Sequence, residues 1–175
     1  MSSTALDGAL GLIREVPDFP EPGVLFRDIS PVLADPAAFR VLVDAMAAGL
    51  PAGTDAVVAI EARGFILGAA IAYASGLGLV CVRKPGKLPA VRHRVSYALE
   101  YGTATLELPE DTIRAGQRVA IVDDVLATGG TVAATRELVE HAGGIVTGVS
   151  VILELAFLKG RDRVPGVDVT ALVTT

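Results

Sequence analysis

Apolar residues recur along this chain in two rhythms, helical spacings of three and four and short continuous runs, and the rhythms alternate. Leu6, Ala9, Leu10 and Ile13 share one helical face and predict an amphipathic helix over residues 4–15. The next stretch carries Pro17, Pro20, Pro22 and Pro31 and is expected to be irregular. Asp35-Pro36 is a helix start, an N-cap followed by proline in the first turn, and the helix is expected to reach about Gly49. Val57 to Ile60 predicts a buried strand, Glu61-Ala62-Arg63-Gly64 a turn, and Phe65 to Ser75 a helix capped by Gly76. Leu79 to Val82 predicts a strand, Lys84 to about Leu99 a long polar loop, and Thr103 to Leu108 alternates like a half-exposed strand. Val119 to Val122 predicts a further strand, followed by a short loop and a helix from Val132 to His141. Ile145 to Leu153 and Val167 to Val173 are the last β-rich runs.

Strands alternating with helices imply parallel pairing and right-handed crossovers, hence an α/β fold with a doubly wound, mainly parallel sheet and helices on both faces. Ligands of such sheets bind beyond the C-terminal strand ends. That rule gathers Glu61-Ala62-Arg63, Arg83-Lys84 and Asp123-Asp124 on one rim.

The richest chemistry lies in V-A-I-V-D-D-V-L-A-T-G-G-T, residues 119–131. An apolar strand delivers two adjacent carboxylates, and a glycine-rich turn then opens a helix. The backbone N–H groups of Gly129, Gly130 and Thr131, with the positive end of the helix dipole, suit a phosphate dianion. The Thr128 and Thr131 hydroxyls add donors, and the carboxylates stand where ribose hydroxyls would lie, able also to help place a divalent cation through its water shell. The stretch is neither a Walker A loop nor a dinucleotide fingerprint. Read as turn chemistry alone, it also fits an ordinary strand-to-helix turn with Thr131 as a cap and solvated aspartates.

Other segments carry similar pairs of readings. Phe26 and Arg27 can sandwich a flat base, or anchor a loop. Arg63, beside Gly64 at a helix start, can bind a diphosphate bidentately, or pair with Glu61. Arg83, Lys84 and Lys87 form a cationic cluster, or a solvated turn. The polar stretch from Leu88 to Tyr101 resembles a lid that excludes water. His93 and His141 form no ligand set, and His141 compensates a helix dipole.

Composition narrows the classes. One domain of 175 residues is long enough for a real core. Its mean hydropathy of +0.55 comes from alanine and valine spread along the chain, with no run long enough to cross a bilayer. The first residues lack a secretion signal, and the lone Cys81 excludes a disulfide framework, so the chain is expected to be cytoplasmic. A net charge of −5 argues against nucleic-acid partners but not against a small polyanion held by local donors.

D-D-V-L-A-T-G-G-T resembles the phosphoribosyl pyrophosphate (PRPP) motif of the type I phosphoribosyltransferases. P-G-V-L-F-R-D-I-S-P (22–31), E-A-R-G-F (61–65), V-R-K-P-G-K-L-P (82–89), Y-A-L-E-Y-G (97–102) and L-K-G-R (158–161) look like the adenine branch of that family, in family order. The resemblance implies one domain over 1–175, with residues 16–33 as a small base-binding hood over the C-terminal strand ends and 85–101 as a mobile lid. It implies transfer of the phosphoribosyl group of PRPP to adenine, giving AMP and pyrophosphate, with Mg²⁺ held mainly by substrate and water near Asp123 and Asp124. It gives Phe26 and Arg27 to the base and Arg63 and Lys87 to pyrophosphate, and counts Arg83 and Lys84 as substrate-binding, one or the other reaching toward a neighbouring subunit's site in a homodimer. Asp123 and Asp124 go to the ribose, and Val125, Leu126, Ala127, Thr128, Gly129, Gly130 and Thr131 to the 5′-phosphate and its turn. It places acid/base chemistry on Glu100 and Tyr101 and an unusual peptide bond near Ala62-Arg63, whose cis or trans state the residues leave open. The A-V-R-H-R-V segment departs from the family's usual lid. Hypoxanthine, guanine or xanthine as acceptor, and a non-catalytic PRPP sensor, remain rival readings.

Overall fold

The computed structural model describes residues 3–98 and 103–175. It comprises two compact units, Met1–Ala48 and Gly49–Thr175.

In the first unit, α1 spans Ser3–Leu10, β1 Arg14–Pro17, β2 Leu25–Asp28, α2 Ser30–Ala34 and α3 Pro36–Ala48. The first helix is shorter than its periodicity predicts. Its last turn closes with Leu12 and Ile13 N–H donating to the Ala9 and Leu10 carbonyls, and the backbone of 14–17 then pairs antiparallel with 25–28. That hairpin corrects the expectation of irregular structure. Pro17 ends β1 while Pro20 and Pro22 fall in the connection, so no proline interrupts a ladder position of β2. The expected cap holds: Asp35 Oδ1 accepts from the Ala37 and Ala38 N–H groups at 2.9 and 2.8 Å.

In the second unit, β3 is Ala56–Ile60, α4 Arg63–Ser75, β4 Gly78–Val82, β5 Val91–Ala98, β6 Thr103–Pro109, β7 Arg118–Leu126, α5 Gly130–His141, β8 Ile145–Glu154 and β9 Val169–Thr174. β4-β3-β7-β8-β9 form one sheet in that order, with parallel neighbours throughout. From β3 the chain winds to β4 on one side, while β7 lies on the other. The crevice between the ends of β3 and β7 is therefore a switch point. α4 lies on the face carrying Ala59, which it meets at Gly68. α5 buries Val132, Leu138 and Val139 with Val58, Ile60 and Ile121 of the alternate pleat, so helices cover both faces. β3 is buried at every residue, as a sheet covered on both faces requires.

Two further expectations change. The polar stretch after Lys84 is not a continuous loop, because Val91–Ala98 pairs antiparallel with Thr103–Pro109. Val95, Leu106 and Leu108 of this hairpin join the core cluster with α5, and Arg83 and Glu107 exchange backbone hydrogen bonds of 3.0 and 2.7 Å that tie it to the end of β4. β7 also runs beyond Val122 through both aspartates, since Asp123 still pairs with Val151 and Leu126 with Glu154.

Candidate active site

A cavity of about 330 Å³ opens at the switch point. Its walls are Glu61-Ala62-Arg63 after β3, the run Asp123 to Gly129 with Thr131 and Val132, Lys84, and Tyr97, Ala104 and Leu106 of the β5–β6 hairpin.

The turn after β7 is built from backbone. Gly129 takes φ +79°, the left-handed region that glycine enters without penalty, and α5 begins at Gly130. The first-turn N–H groups of α5 lack intrahelical acceptors, which leaves the helix start free to donate to an anion. Gly130 packs against Tyr97, whose ring a Cβ there would meet at 3.2 Å, and the Tyr97 hydroxyl lies 3.0 Å from Thr131 Oγ1.

The two aspartates have different surroundings. Asp124 is buried, with Oδ2 2.9 Å from Arg63 Nη2. Asp123 Oδ1 accepts the Asp124 N–H at 2.9 Å and lies so close to Gly64 that a Cβ there would stand 2.8 Å away. Burial and the neighbouring Asp124 charge push the Asp123 carboxyl well above its ordinary value of 3.8.

Glu61 organises the cationic rim. Its carboxylate accepts from Lys87 Nζ at 2.5 Å, the Lys84 N–H at 2.9 Å and Arg83 Nε at 3.4 Å. Burial opposes ionisation of Glu61. The Lys87 hydrogen bond, the Lys84 N–H and the charges of Lys87 and Arg83 outweigh it, and the carboxyl titrates below its ordinary value. Arg63, expected as a possible partner of Glu61, pairs with Asp124 instead. Arg83 sits 5.7 Å over the Phe65 ring. The cis peptide bond of this turn is Glu61–Ala62, one residue before the bond left open above.

Of the expected residues, Arg63, Lys84, Asp123, Asp124, Val125, Leu126, Ala127, Thr128, Gly129 and Thr131 line the one cavity. Arg83 and Lys87 approach it through Glu61, and Gly130 is buried behind the turn. Phe26 and Arg27 belong to the first unit. Phe26 meets the Phe19 ring edge-on at 5.1 Å, and Arg27 pairs with Glu15 across the hairpin. As neighbours in a strand they point to opposite faces, so the two side chains do not present one stacking surface. Glu100 and Tyr101 lie outside the described residues. Glu61 stands on the expected rim, but its role as acceptor for Lys87, Lys84 and Arg83 is not legible in the sequence, and neither are the contacts of Tyr97 and Glu107. Tyr97 had a signal, the alternation Val91, His93, Val95, Tyr97. Glu107 had none, because its partners, Arg94 Nε at 2.8 Å and Gly86 N–H at 3.3 Å, are distant in sequence.

A family model described as the phosphoribosyl transferase domain matches residues 37–165. The adenine phosphoribosyltransferase of Saccharopolyspora erythraea is 61% identical over 169 residues, covering 97% of this chain and 92% of the relative. The chain belongs to the adenine phosphoribosyltransferase family. Solved structures of family members superpose closely on it. The Thermoanaerobacter pseudethanolicus protein gives a TM-score of 0.94 at 48% identity, covering 97% of this chain and 99% of that one. The Saccharomyces cerevisiae protein, complexed with an imino-altritol bisphosphate and adenine, gives 0.93 at 37% identity, covering 98% and 100%. In this family member, the turn, the acid pair and the Arg63 segment therefore share one wall on a fold characteristic of its relatives.

Proposed function

We propose that the protein transfers the 5-phosphoribosyl group of PRPP to adenine, releasing pyrophosphate and forming AMP, a step of purine salvage. The observation that carries this reading is the convergence of the Thr128–Thr131 turn, the acid pair and Arg63 on one cavity, in a chain of this family. The 5′-phosphate rests on the backbone donors of the turn from Ala127 to Thr131, with the Thr128 and Thr131 hydroxyls. Asp123 and Asp124 receive the ribose hydroxyls, which fixes the anomeric carbon by binding remote from the reacting bond. As the C–O bond to pyrophosphate breaks, positive charge develops on that carbon, and Arg63, Lys84, Lys87 and Arg83 stabilise the departing anion.

Residues 16–33, with Phe26 and Arg27, serve adenine, and residues 85–101 shield the reaction from water. Glu100 and Tyr101 manage the proton of the adenine ring. The assembly is a single catalytic domain that works as a cytoplasmic homodimer, with Arg83 or Lys84 available to a partner subunit.

Among the described residues, no three acidic, histidine or cysteine side chains converge as a metal cage. Two adjacent carboxylates without a cage suit Mg²⁺, which keeps much of its water and binds mainly through substrate oxygens. When bound near Asp123 and Asp124, it would neutralise charge on pyrophosphate.

The test is AMP formation from adenine, PRPP and Mg²⁺, in competition with hypoxanthine, guanine and xanthine. Turnover with adenine alone supports the reading. Preference for another base moves the protein within the family, and PRPP binding without turnover replaces the enzyme with a sensor.

A further inference from the structure

The L-K-G-R segment, residues 158–161, has no role in the reaction described above, yet its backbone bears directly on the phosphate turn. A Cβ at Gly160 would stand 2.3 Å from the Ala127 carbonyl oxygen and 2.9 Å from Leu126 Cγ. Reciprocally, a Cβ at Gly129 would stand 2.3 Å from the Gly160 carbonyl oxygen and 3.0 Å from Arg163 Cβ. Two glycines from distant parts of the chain are thus pressed backbone to backbone, closer than any side chain allows.

What holds this segment in place is a buried acid. Glu154, the last residue of β8, is almost fully buried. Arg161 grips it with both arms of the guanidinium, Nε to Oε1 at 2.6 Å and Nη2 to Oε2 at 2.7 Å, and donates Nη1 to the Val169 carbonyl at 2.8 Å. Thr174 Oγ1 donates to the same carboxylate at 3.3 Å. The segment is pinned further by Leu155 N–H to the Leu126 carbonyl at 2.9 Å and by Val164, which is buried in the core cluster. A fork of this kind fixes orientation as well as distance, and a lysine could not reproduce it. The Arg161 hydrogen bonds, working against burial, hold the Glu154 carboxyl below its ordinary range.

We infer that Gly160 and Arg161 form a positioning brace that sets the backbone of Ala127–Gly129, and through it the affinity for the 5′-phosphate of PRPP. Neither residue lines the cavity, so neither is catalytic. The inference rests on the proposed function for its substrate, but not for the brace itself.

The test uses the whole chain with Gly160→Ala and Arg161→Lys. Steady-state KM for PRPP and for adenine is measured, together with the backbone amide resonances of Thr128 to Thr131 by two-dimensional NMR. Gly160→Ala is expected to raise the PRPP KM roughly tenfold or more while the adenine KM stays within about twofold. Arg161→Lys, keeping the charge and losing the fork, is expected to raise the PRPP KM about threefold and to shift the turn amides. Equal movement of both KM values, or an Arg161→Lys enzyme with wild-type PRPP KM and unshifted amides, overturns the brace. If Gly160→Ala does not fold, Arg161→Lys decides. If the wild-type chain forms no AMP, the proposed function fails, and the amide shifts alone judge the brace.

Discussion

The phosphate turn after β7 and the cationic rim between Glu61 and Lys87 both face an anion, and they are built on opposite plans. The turn offers neutral backbone donors at a helix start, with Gly129 and Gly160 packed where no side chain fits and Gly130 close against Tyr97. The first-turn N–H groups of α5 have no intrahelical acceptor to give up when a phosphate enters, although the Thr131 hydroxyl already meets Tyr97. The rim offers full charges, and three of them are already committed. Lys87 and Arg83 are on Glu61, and Arg63 is on Asp124. An anion arriving there competes with a buried carboxylate. Preorganised dipoles suit the group that stays attached to the sugar throughout, whereas exchangeable ion pairs suit a group that must leave.

The comparison is broken most severely at Gly129. Gly129→Ala places a Cβ 2.3 Å from the Gly160 carbonyl in a left-handed conformation that alanine resists. A loss of roughly a hundredfold in kcat/KM for PRPP, ~2.7 kcal/mol, is expected. Kinetics with saturating adenine would show it, and a variant within threefold of wild type would mean that the turn is not rigid. Next comes Asp124→Asn, which removes the charge facing Arg63 and weakens the acceptor for ribose. It should cut kcat/KM for PRPP about tenfold or more, ~1.4 kcal/mol. Wild-type kinetics in that variant would remove Asp124 from the ribose assignment.

The two regions also differed in how far sequence could reveal them. The turn is a contiguous string, and its chemistry follows from residue order: strand, acids, glycines, helix. Its extent is not legible, since hydropathy stops at Val122 while backbone pairing continues to Leu126, indifferent to the aspartate side chains. The rim is assembled from residues more than twenty positions apart, and nothing local in E-A-R-G marks Glu61 as the partner of Lys87. β5 is hidden for a different reason. Arg92, Arg94 and Ser96 alternate with Val91, His93, Val95 and Tyr97, and the polar half of the pattern hid the strand. The same alternation with fewer charges at Thr103–Leu108 was legible. Helix starts that depend on a cap and a proline, as at Asp35-Pro36, were legible because both causes are local.

Glu61→Gln sharpens the contrast with a smaller effect. Removing its charge frees Lys87 and Arg83 from their competitor while the amide retains the volume. Product inhibition by pyrophosphate should tighten about threefold, ~0.7 kcal/mol, and become more sensitive to salt. Weaker inhibition would show instead that Glu61 aims the cations at the ligand, and the two regions would then be preorganised alike.

The smallest effect separates the regions by pH. The Glu61 carboxyl is lowered in the folded protein, so its ion pairs contribute stability above its ordinary value of 4.5, and that contribution is lost as pH falls through the folded value. Asp123 is raised, chiefly by burial and then by Asp124, so the sign reverses. Its contribution is complete below its ordinary value of 3.8 and is lost as pH rises through the raised folded value. Thermal unfolding followed across the acid range should therefore carry two opposed slopes. Glu61→Gln reduces the gain in melting temperature on leaving acid pH, the rest coming from Glu154 and Asp28, which are lowered likewise, and Asp123→Asn removes the decline that follows at higher pH. A wild-type profile retained in Asp123→Asn would mean that Asp123 is ionised at little cost. The acid pair would then be as ready for its ligand as the turn beside it, and the division between neutral and charged plans would run along the rim alone.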